Sequence, residues 1–436
     1  MARILISFFS NVTWLQKIPK DSFIEEFTNV LVRRGNDCMS VFTNRVDDNT
    51  DCTVDYDRLK NDIVKFNPEL IISFNNVLPA KNILKYVNCP VACFSADSPA
   101  WWMNKDIISK YKDRYYFFHF SPDMIECTKT EFDVSDDRNV LFGIATDFQK
   151  RNLEKTKNIC FVGSFNIWNK SLIDTFDRFP FDDDAKRNFI EKMDMFEQNP
   201  LKNTDWKLSG ITDDEAFRAA QLLLTARDRL QIAESLSDLG LTVFTAPNNI
   251  NDLLLFHWNI WKCVRQKTVC SLSDIEDVYN SSKICLNMPH AQAENGFSWR
   301  VSEILASSSC LLSNRKPYLT EITKDYVDLP MYDSPAEARD LCVKLLKDEI
   351  FRQDVVLASN KLVDDKFRFE DKFEKMFKKI GLLENLNFGV GKNTDLFLSD
   401  YIINNDDLFA EPGIVDKIRY RIWKHLNKKL KSKKII

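Results

Sequence analysis

The first third of the chain alternates short apolar runs with amphipathic segments. The run ILISFF at residues 4–9 is continuously apolar, and residues 21–34 then place apolar side chains at helical spacing before Gly35. The apolar runs CMSVFT, LIISFN and PVACFSA follow, and they are separated by helical patterns at residues 56–66 and 79–87. Apolar runs of strand length that alternate with helices predict parallel strands covered on both faces. The N-terminal third is therefore predicted to be a doubly wound α/β domain.

The same alternation begins again after the charged residues 149–157. The apolar run NICFVGSF ends near Gly163 and Ser164, and a capping-box sequence then opens a helix that is predicted to stop at Gly240. Further strands are predicted at LTVFT, KTVCSL, KICLNM and CLLSN, and residues 351–380 are predicted to form one or two amphipathic helices. This pattern predicts a second doubly wound domain.

Two such domains and a tail make up the predicted architecture. We place an N-terminal Rossmann-like domain at residues 1–152, a C-terminal Rossmann-like domain at residues 153–385 and a C-terminal extension at residues 386–436. Doubly wound sheets bind ligands beyond the carboxyl ends of their strands. We therefore expect the domains to face each other across a cleft, with a C-terminal helix returning to the first domain. Asp97, which follows the strand PVACFSA, is expected at this cleft.

Composition narrows the class of protein. The 436 residues are 44% hydrophobic and 28% charged, which is typical of a soluble globular chain, and the net charge of −4 argues against a nucleic-acid partner. Eleven cysteines without a C-x-x-C pair favour reduced, buried side chains over disulfides or a zinc site. No apolar run approaches the roughly 20 residues of a membrane-spanning helix. We therefore expect a cytoplasmic protein.

The end of the chain differs in charge from the rest. Residues 417–436 contain nine Lys or Arg and no acid, and a helical face there carries Ile418, Ile422, Trp423 and Leu426. An apolar face surrounded by cations is typical of helices that lie on anionic lipid. We predict that this basic helical tail holds the protein at the inner face of the membrane. A solvated extension is the alternative.

The segment ENGFSWRVSEILASSSCLLSN, residues 294–314, places polar and charged side chains shortly before a predicted buried strand. It leads into a helix predicted from Ser298, whose N-terminal N–H groups and positive dipole end suit an anion such as a diphosphate. Gly296 permits close approach of the backbone, and Arg300 offers a bidentate positive charge. Glu303 is placed to accept two hydrogen bonds from a diol. Nucleotide-sugars present a ribose diol beside a diphosphate.

This segment resembles the donor site of the GT-B glycosyltransferases, in particular the CgeB-like branch of the glycosyl transferases group 1 type. Many retaining members carry a proline, a glutamate, a Gly-Phe-Gly sequence and a second glutamate that seven intervening residues separate from the first. In this chain Asn295 stands at the first glutamate and Glu303 at the second. Gly296, Phe297 and Ser298 stand at the Gly-Phe-Gly sequence.

The resemblance implies transfer of a sugar from a nucleotide-sugar, with UDP as the expected nucleotide, to a glycan or lipid-linked acceptor in surface polysaccharide biosynthesis. It implies that the C-terminal domain binds the donor, with Glu303 on the ribose and Gly163-Ser164 as its glycine loop, and that the N-terminal domain binds the acceptor. We name Asp97, His290 and Glu294 as candidate catalytic residues. The nucleotide-sugar is a substrate, so no cofactor is expected.

No metal is expected either, because the acidic run at residues 182–184 precedes a predicted helix, where acids favour the N-terminal dipole.

Four of the candidate residues also have a structural interpretation. These are a turn-forming role for Asp97, a structural hydrogen bond for His290, an ion pair with Glu303 or Glu294 for Arg300, and an exposed helix position for Glu303. Two other functions stay open: a non-catalytic GT-B-like binding or scaffold subunit, which Asn295 favours, and a nucleotide-sugar epimerase.

Overall fold

A computed structural model of the chain contains two parallel α/β domains. It describes residues 2–9, 12–13, 16–17, 21–43, 55–78, 82–99, 102, 105–165, 214–245, 247–267, 269, 271–293, 295–382, 391–397 and 401. Three predicted features lie outside the described residues: Glu294, the acidic run at residues 182–184 and the basic tail at residues 417–436.

Strands and helices alternate along most of the described chain. The strands are β1 (Arg3–Phe9), β2 (Val12–Thr13), β3 (Gln16–Lys17), β4 (Asp37–Thr43), β5 (Leu70–Phe74), β6 (Val91–Ser95), β7 (Tyr115–His119), β8 (Asn139–Leu141), β9 (Lys157–Val162), β10 (Leu241–Phe244), β11 (Ser282–Asn287), β12 (Cys310–Asn314), β13 (Met331–Tyr332) and β14 (Asn393–Phe397). The helices are α1 (Ser22–Arg33), α2 (Tyr56–Phe66), α3 (Asp106–Lys110), α4 (Asp123–Phe132), α5 (Asp214–Leu236), α6 (Pro247–Phe256), α7 (Trp258–Cys263), α8 (Leu272–Asn280), α9 (Arg300–Ala306), α10 (Pro317–Thr323), α11 (Pro335–Lys347), α12 (Glu349–Lys366) and α13 (Phe369–Ile380).

The first sheet is parallel and has seven strands in the order β14-β4-β1-β5-β6-β7-β8. Alternate residues of β1 enter different cores: Ile4, Ile6 and Phe8 join an aromatic-rich cluster on one face, and Leu5 joins a second cluster on the other. Because both faces are buried, residues 4–9 are apolar at every position except Ser7 and do not alternate with polar residues. This explains the run ILISFF.

The second sheet is parallel and has five strands in the order β10-β9-β11-β12-β13. Its strands contribute to a separate hydrophobic core that includes Ile159, Ile284 and Leu312. The predicted class of two doubly wound domains is therefore confirmed. Among the described residues, no helix is both long enough and apolar enough to span a membrane.

The chain returns to the first domain after the second sheet is complete. Helix α13 buries Phe369, Phe373 and Phe377 in the first domain's aromatic core, where Phe373 packs edge-on against Phe27 at 4.7 Å between ring centroids. Strand β14 then pairs with β4. The predicted return of a C-terminal helix is thus observed, and part of the predicted extension at residues 386–436 adds a strand to the first sheet. The domain boundaries themselves stay predictions.

Local signals place several helix ends accurately. Asp21 caps α1, since its side chain accepts a hydrogen bond from the Phe23 N–H at 3.0 Å. Gly240 follows α5 in a left-handed conformation with φ of 84°. The strand predicted at KTVCSL is wrong for its described residues, because Leu272 instead begins helix α8.

Candidate functional site

A cavity of about 200 Å³ lies between the two domains. It adjoins the carboxyl ends of β6 in the first domain and β11 in the second, which is where doubly wound sheets bind ligands. Residues that line it include Asp97, Ser98 and Ser121 from the first domain and Arg229, His290, Gln292, Phe297, Ser298 and Arg300 from the second.

Five of the residues predicted from sequence line this cavity: Asp97, His290, Phe297, Ser298 and Arg300. The other described candidates, Gly163, Ser164, Asn295, Gly296 and Glu303, do not line it. They lie in the segments that support it, as the contacts below show.

Asp97 is held by hydrogen bonds on both carboxylate oxygens. Nε2 of Gln292 donates to Oδ1 at 2.7 Å, and Nδ2 of Asn75 donates to Oδ2 at 2.6 Å. Asn75 has a left-handed backbone with φ of 53°, and its Oδ1 accepts from the N–H groups of Ala96 and Asp97. The turn after β6 is therefore built around Asp97. Its predicted catalytic role stays a prediction beside this structural one.

His290 begins a loop whose backbone is tied on several sides. Its Nδ1 accepts a hydrogen bond from the Gln292 N–H at 3.2 Å, which places the proton of a neutral ring on Nε2. Thr225 Oγ1 accepts from the Ala291 N–H at 2.9 Å, and Nζ of Lys316 donates to the Ala293 carbonyl at 2.6 Å. The loop between β11 and α9 is thus held in one shape at the cavity.

Arg229 is a cavity residue that sequence reasoning missed. It lies on α5, is 8% exposed, and donates from Nε to the Met288 carbonyl at 2.9 Å and from Nη1 to the Ser164 carbonyl at 2.5 Å. It therefore joins the segment after β9 to the loop after β11. Ser164 thus contacts the site through Arg229 and does not line the cavity, and Gly163 precedes it in the same segment.

Glycine is required at position 163 by close packing. A Cβ there would come within 2.8 Å of the Phe161 ring. The Phe165 N–H donates to Oδ1 of Asn249 at 3.1 Å, which ties this segment to α6 as well.

Arg229 and Arg300 bring two guanidinium groups to one cavity. Burial lowers the pKa of Arg229, and the positive charge of Arg300 lowers it further. Two like charges in a partly dehydrated cavity repel each other, so an anion bound between them would relieve that repulsion. A diphosphate has the charge and the acceptor oxygens for this position.

Glu303 is 1% exposed, so the alternative of an exposed helix carboxylate is wrong. Ser22 Oγ, at the start of α1, donates to its Oε1 at 3.3 Å, while Oε2 has no hydrogen-bond partner among the described residues. The pKa of Glu303 is raised to about 7, mainly by burial and also by the nearby Asp21, while Arg300 and the Ser22 hydrogen bond oppose the shift. The predicted ribose contact of Glu303 stays a prediction.

The two domains meet closely along the segment that contains Gly296. The Asn295 N–H donates to Oδ2 of Asp123 in the first domain at 2.9 Å, and a Cβ at position 296 would overlap Ser121. Trp299 stacks on Phe23 with 4.6 Å between ring centroids. The segment that precedes α9 is therefore a domain contact as well as a cavity wall.

Within the described ranges, no group of three or more His, Cys, Asp or Glu side chains is arranged to hold a metal ion. Metal independence stays a prediction.

The comparisons with known proteins agree with this fold. Residues 214–378 match the family model described as glycosyl transferase-like. The structure is similar to sucrose-phosphate synthase from Thermosynechococcus elongatus, with a TM-score of 0.51 and 9% identity over 87% of this chain and 98% of that chain. It is also similar to HepE from Anabaena in complex with UDP and glucose, with a TM-score of 0.51 and 10% identity over 88% of this chain and 100% of that chain. No curated protein matches in sequence.

The matched region contains the second-domain side of the site. It starts at the first residue of α5 and includes Arg229, the loop with His290, and Arg300. The match over residues 214–378 and the two-domain fold agree with the resemblance: the chain has the GT-B fold, and its second domain is similar to the glycosyl transferase-like family.

Proposed function

We propose that the protein transfers a sugar from a UDP-sugar to a carbohydrate or lipid-linked glycan acceptor in surface polysaccharide biosynthesis. The observation that carries this proposal is the cavity between the domains, where Arg229 and Arg300 lie beside the loop predicted to bind the donor. HepE, a protein of similar fold, was crystallised with UDP and glucose. That complex supports UDP as the first nucleotide to test.

The proposed mechanism rests on positioning and on stabilisation of the leaving diphosphate. Arg300 would contact the diphosphate, and Arg229 would hold the surrounding loop while adding positive charge. Charged donors that are already in place when the sugar–phosphate bond breaks stabilise the developing charge without reorganisation. Asp97, His290 and Glu294 are proposed to act on the sugar or the acceptor, and Glu303 is proposed to bind the ribose.

The proposed cellular setting is the cytoplasmic face of the membrane. Support comes from the nine cations of residues 417–436. A lipid-linked acceptor would be presented at this surface.

A panel of nucleotides tests the proposal. Thermal unfolding is measured with UDP, GDP, CMP and their sugars. A ligand at a hundredfold excess over its dissociation constant stabilises the folded state by about 2.7 kcal/mol, so the donor nucleotide should raise the melting temperature clearly. A chain that none of these compounds stabilises would contradict the proposal.

A non-catalytic binding or scaffold subunit is the second candidate. Asn295, which replaces the first glutamate of the family signature and is exposed, favours it. Binding of UDP without release of UDP from any UDP-sugar would support this candidate over the enzyme.

A further inference from the structure

Gln292 spans the cavity from the second domain to the first. It lies in the loop between β11 and α9, and its Nε2 donates to Oδ1 of Asp97 at 2.7 Å. Its Oε1 accepts a hydrogen bond from the Ser98 N–H at 3.2 Å. The amide of Gln292 therefore binds both the Asp97 side chain and the Ser98 backbone after β6. Gln292 and Asp97 are 195 residues apart in the sequence.

The far side of Asp97 is fixed independently of the second domain. Oδ2 accepts from Nδ2 of Asn75 at 2.6 Å, and Oδ1 of Asn75 is used by the backbone N–H groups of Ala96 and Asp97. Because Asn75 is committed to these two N–H groups, its side-chain amide cannot rotate without losing them. Asp97 therefore presents Oδ1 to Gln292 in a defined direction.

We propose that Gln292 and Asp97 are paired positioning residues that set the two halves of the active site at their working distance. The inference rests on the proposed function, because it concerns the alignment of donor and acceptor. This inference replaces the direct action of Asp97 on the sugar or acceptor given above with a role through its contact with Gln292. Neither residue was matched to a donor-binding role by the family signature.

The position of the pair explains why it should affect catalysis. His290 lies two residues before Gln292, and its Nδ1 accepts from the Gln292 N–H. Phe297 and Ser298 follow in the same loop and line the same cavity. A displaced loop would shift these groups relative to Ser98 and Ser121 in the first domain. Misplacement by about 1 Å costs up to a hundredfold in rate.

Exchanging the amide of Gln292 with the carboxylate of Asp97 distinguishes a positioning role of Asp97 from a role in proton transfer. In Gln292→Glu, two carboxylates face each other and the hydrogen bond to Asp97 is lost. In Asp97→Asn, one amide N–H must face another, at either Gln292 or Asn75. In the double variant, the new asparagine amide can donate to the new glutamate and still accept from Asn75. All three hydrogen bonds can then form again, without a carboxylate at position 97.

The experiment measures the wild type, both single variants and the exchanged double variant. The readouts are UDP affinity by calorimetry, kcat and KM for release of UDP from UDP-glucose, UDP-galactose and UDP-N-acetylglucosamine, and the midpoint of urea unfolding. Gln231→Glu is the matched control, because it adds the same charge on α5 at a residue that does not line this cavity. Its kinetics should equal those of the wild type.

We expect each single variant to lower kcat about tenfold or more, while UDP affinity changes less than about threefold. The exchanged variant should recover most of kcat and of the unfolding midpoint. An exchanged variant as inactive as Asp97→Asn alone would overturn the proposal and make Asp97 a proton acceptor. A fully active Gln292→Glu would overturn it as well.

The urea-unfolding midpoints test the contact between Gln292 and Asp97 independently of whether the protein binds or releases UDP. If the wild type neither binds UDP nor releases it, the proposed function fails. The pairing itself is then judged by whether the exchange restores the stability that each single variant loses. Recovery supports the domain contact, and additive losses overturn it.

Discussion

Gly296 of the second domain packs against Ser121 of the first so closely that a Cβ at position 296 would overlap the Ser121 side chain. Gly296 is not among the glycines with positive φ, so an alanine there meets no backbone strain. The need for glycine is therefore one of space between the domains. The sequence had indicated a different reason, close approach of the backbone to a bound diphosphate.

The change Gly296→Ala should therefore act by separating the domains. Overpacking of this kind typically costs about 1–3 kcal/mol, and we expect a lower melting temperature and slower turnover. The double variant Gly296→Ala with Ser121→Gly restores the space, and it should recover both. Ser121 Oγ has no hydrogen-bond partner among the described residues, so its removal breaks no hydrogen bond there. If Ser121→Gly gives no recovery, the domain contact is not the cause.

Arg300→Ala should weaken the binding of diphosphates far more than that of nucleosides. A hydrogen bond to a charged group contributes about 1.5–3 kcal/mol, so UDP affinity should fall about tenfold or more, while uridine affinity stays within about twofold. Calorimetric titration measures both. Arg265→Ala, at an exposed arginine in the same domain, is the control. Equal effects of Arg300→Ala on UDP and uridine would assign Arg300 a structural role.

Glu303→Gln should change how stability depends on pH. The pKa of Glu303 is about 7 in the folded protein against an ordinary value of 4.5, so the folded state holds this proton between those values while the unfolded state releases it. Stability that the protonated carboxyl contributes is present below about pH 4.5 and is lost as pH rises through about 7.

The wild type should therefore lose stability relative to Glu303→Gln between about pH 5 and about pH 8, by at most about 3 kcal/mol. Urea unfolding of both proteins across this range measures the difference. A constant difference would contradict the burial of an ionisable carboxyl at this position. In a separate titration, Glu303→Gln should also weaken UDP binding if Glu303 contacts the ribose.

The basic tail should bind anionic membranes. We expect the full chain to co-sediment with vesicles that contain phosphatidylserine, since each cation near such a surface contributes about 1 kcal/mol. Binding should fall as salt rises, because the charges are screened within about 8 Å at physiological ionic strength. Deletion of residues 414–436 should abolish it and leave UDP binding intact. A full chain that ignores these vesicles at low salt would favour a solvated end or a protein partner.

Much of the fold could be predicted because both faces of each sheet are buried. Continuous apolar runs such as the one at β5 then stand out between polar helices, and the predicted helix at residues 56–66 coincides with α2. The apolar stretch KTVCSL is as strand-like by composition, but Ser271 caps α8 there by accepting from the Asp274 N–H. A short apolar run alone does not distinguish a strand from a helix start.

The site was only partly predictable, since local motifs do not encode contacts between distant segments. The segment around Arg300 carries a signature, whereas Arg229 lies in a long helix without one. Its side chain is held by the Met288 and Ser164 carbonyls, which are 59 and 65 residues away. The bond between Gln292 and Asp97 joins different domains and leaves no local pattern. The available signal for Arg229 was a polar row on one face of α5, since Gln221, Thr225 and Arg229 recur every four residues and all three are buried.

A crystal structure of the protein grown with UDP decides whether the cavity between the domains is the donor site. UDP should occupy this cavity, with diphosphate oxygens at hydrogen-bond distance, roughly 2.7–3.2 Å, from the guanidinium of Arg300 and beside Arg229. Its ribose should lie toward Glu303. A diphosphate bound elsewhere on the chain, or a cavity without nucleotide at saturating UDP, would rule out this donor site.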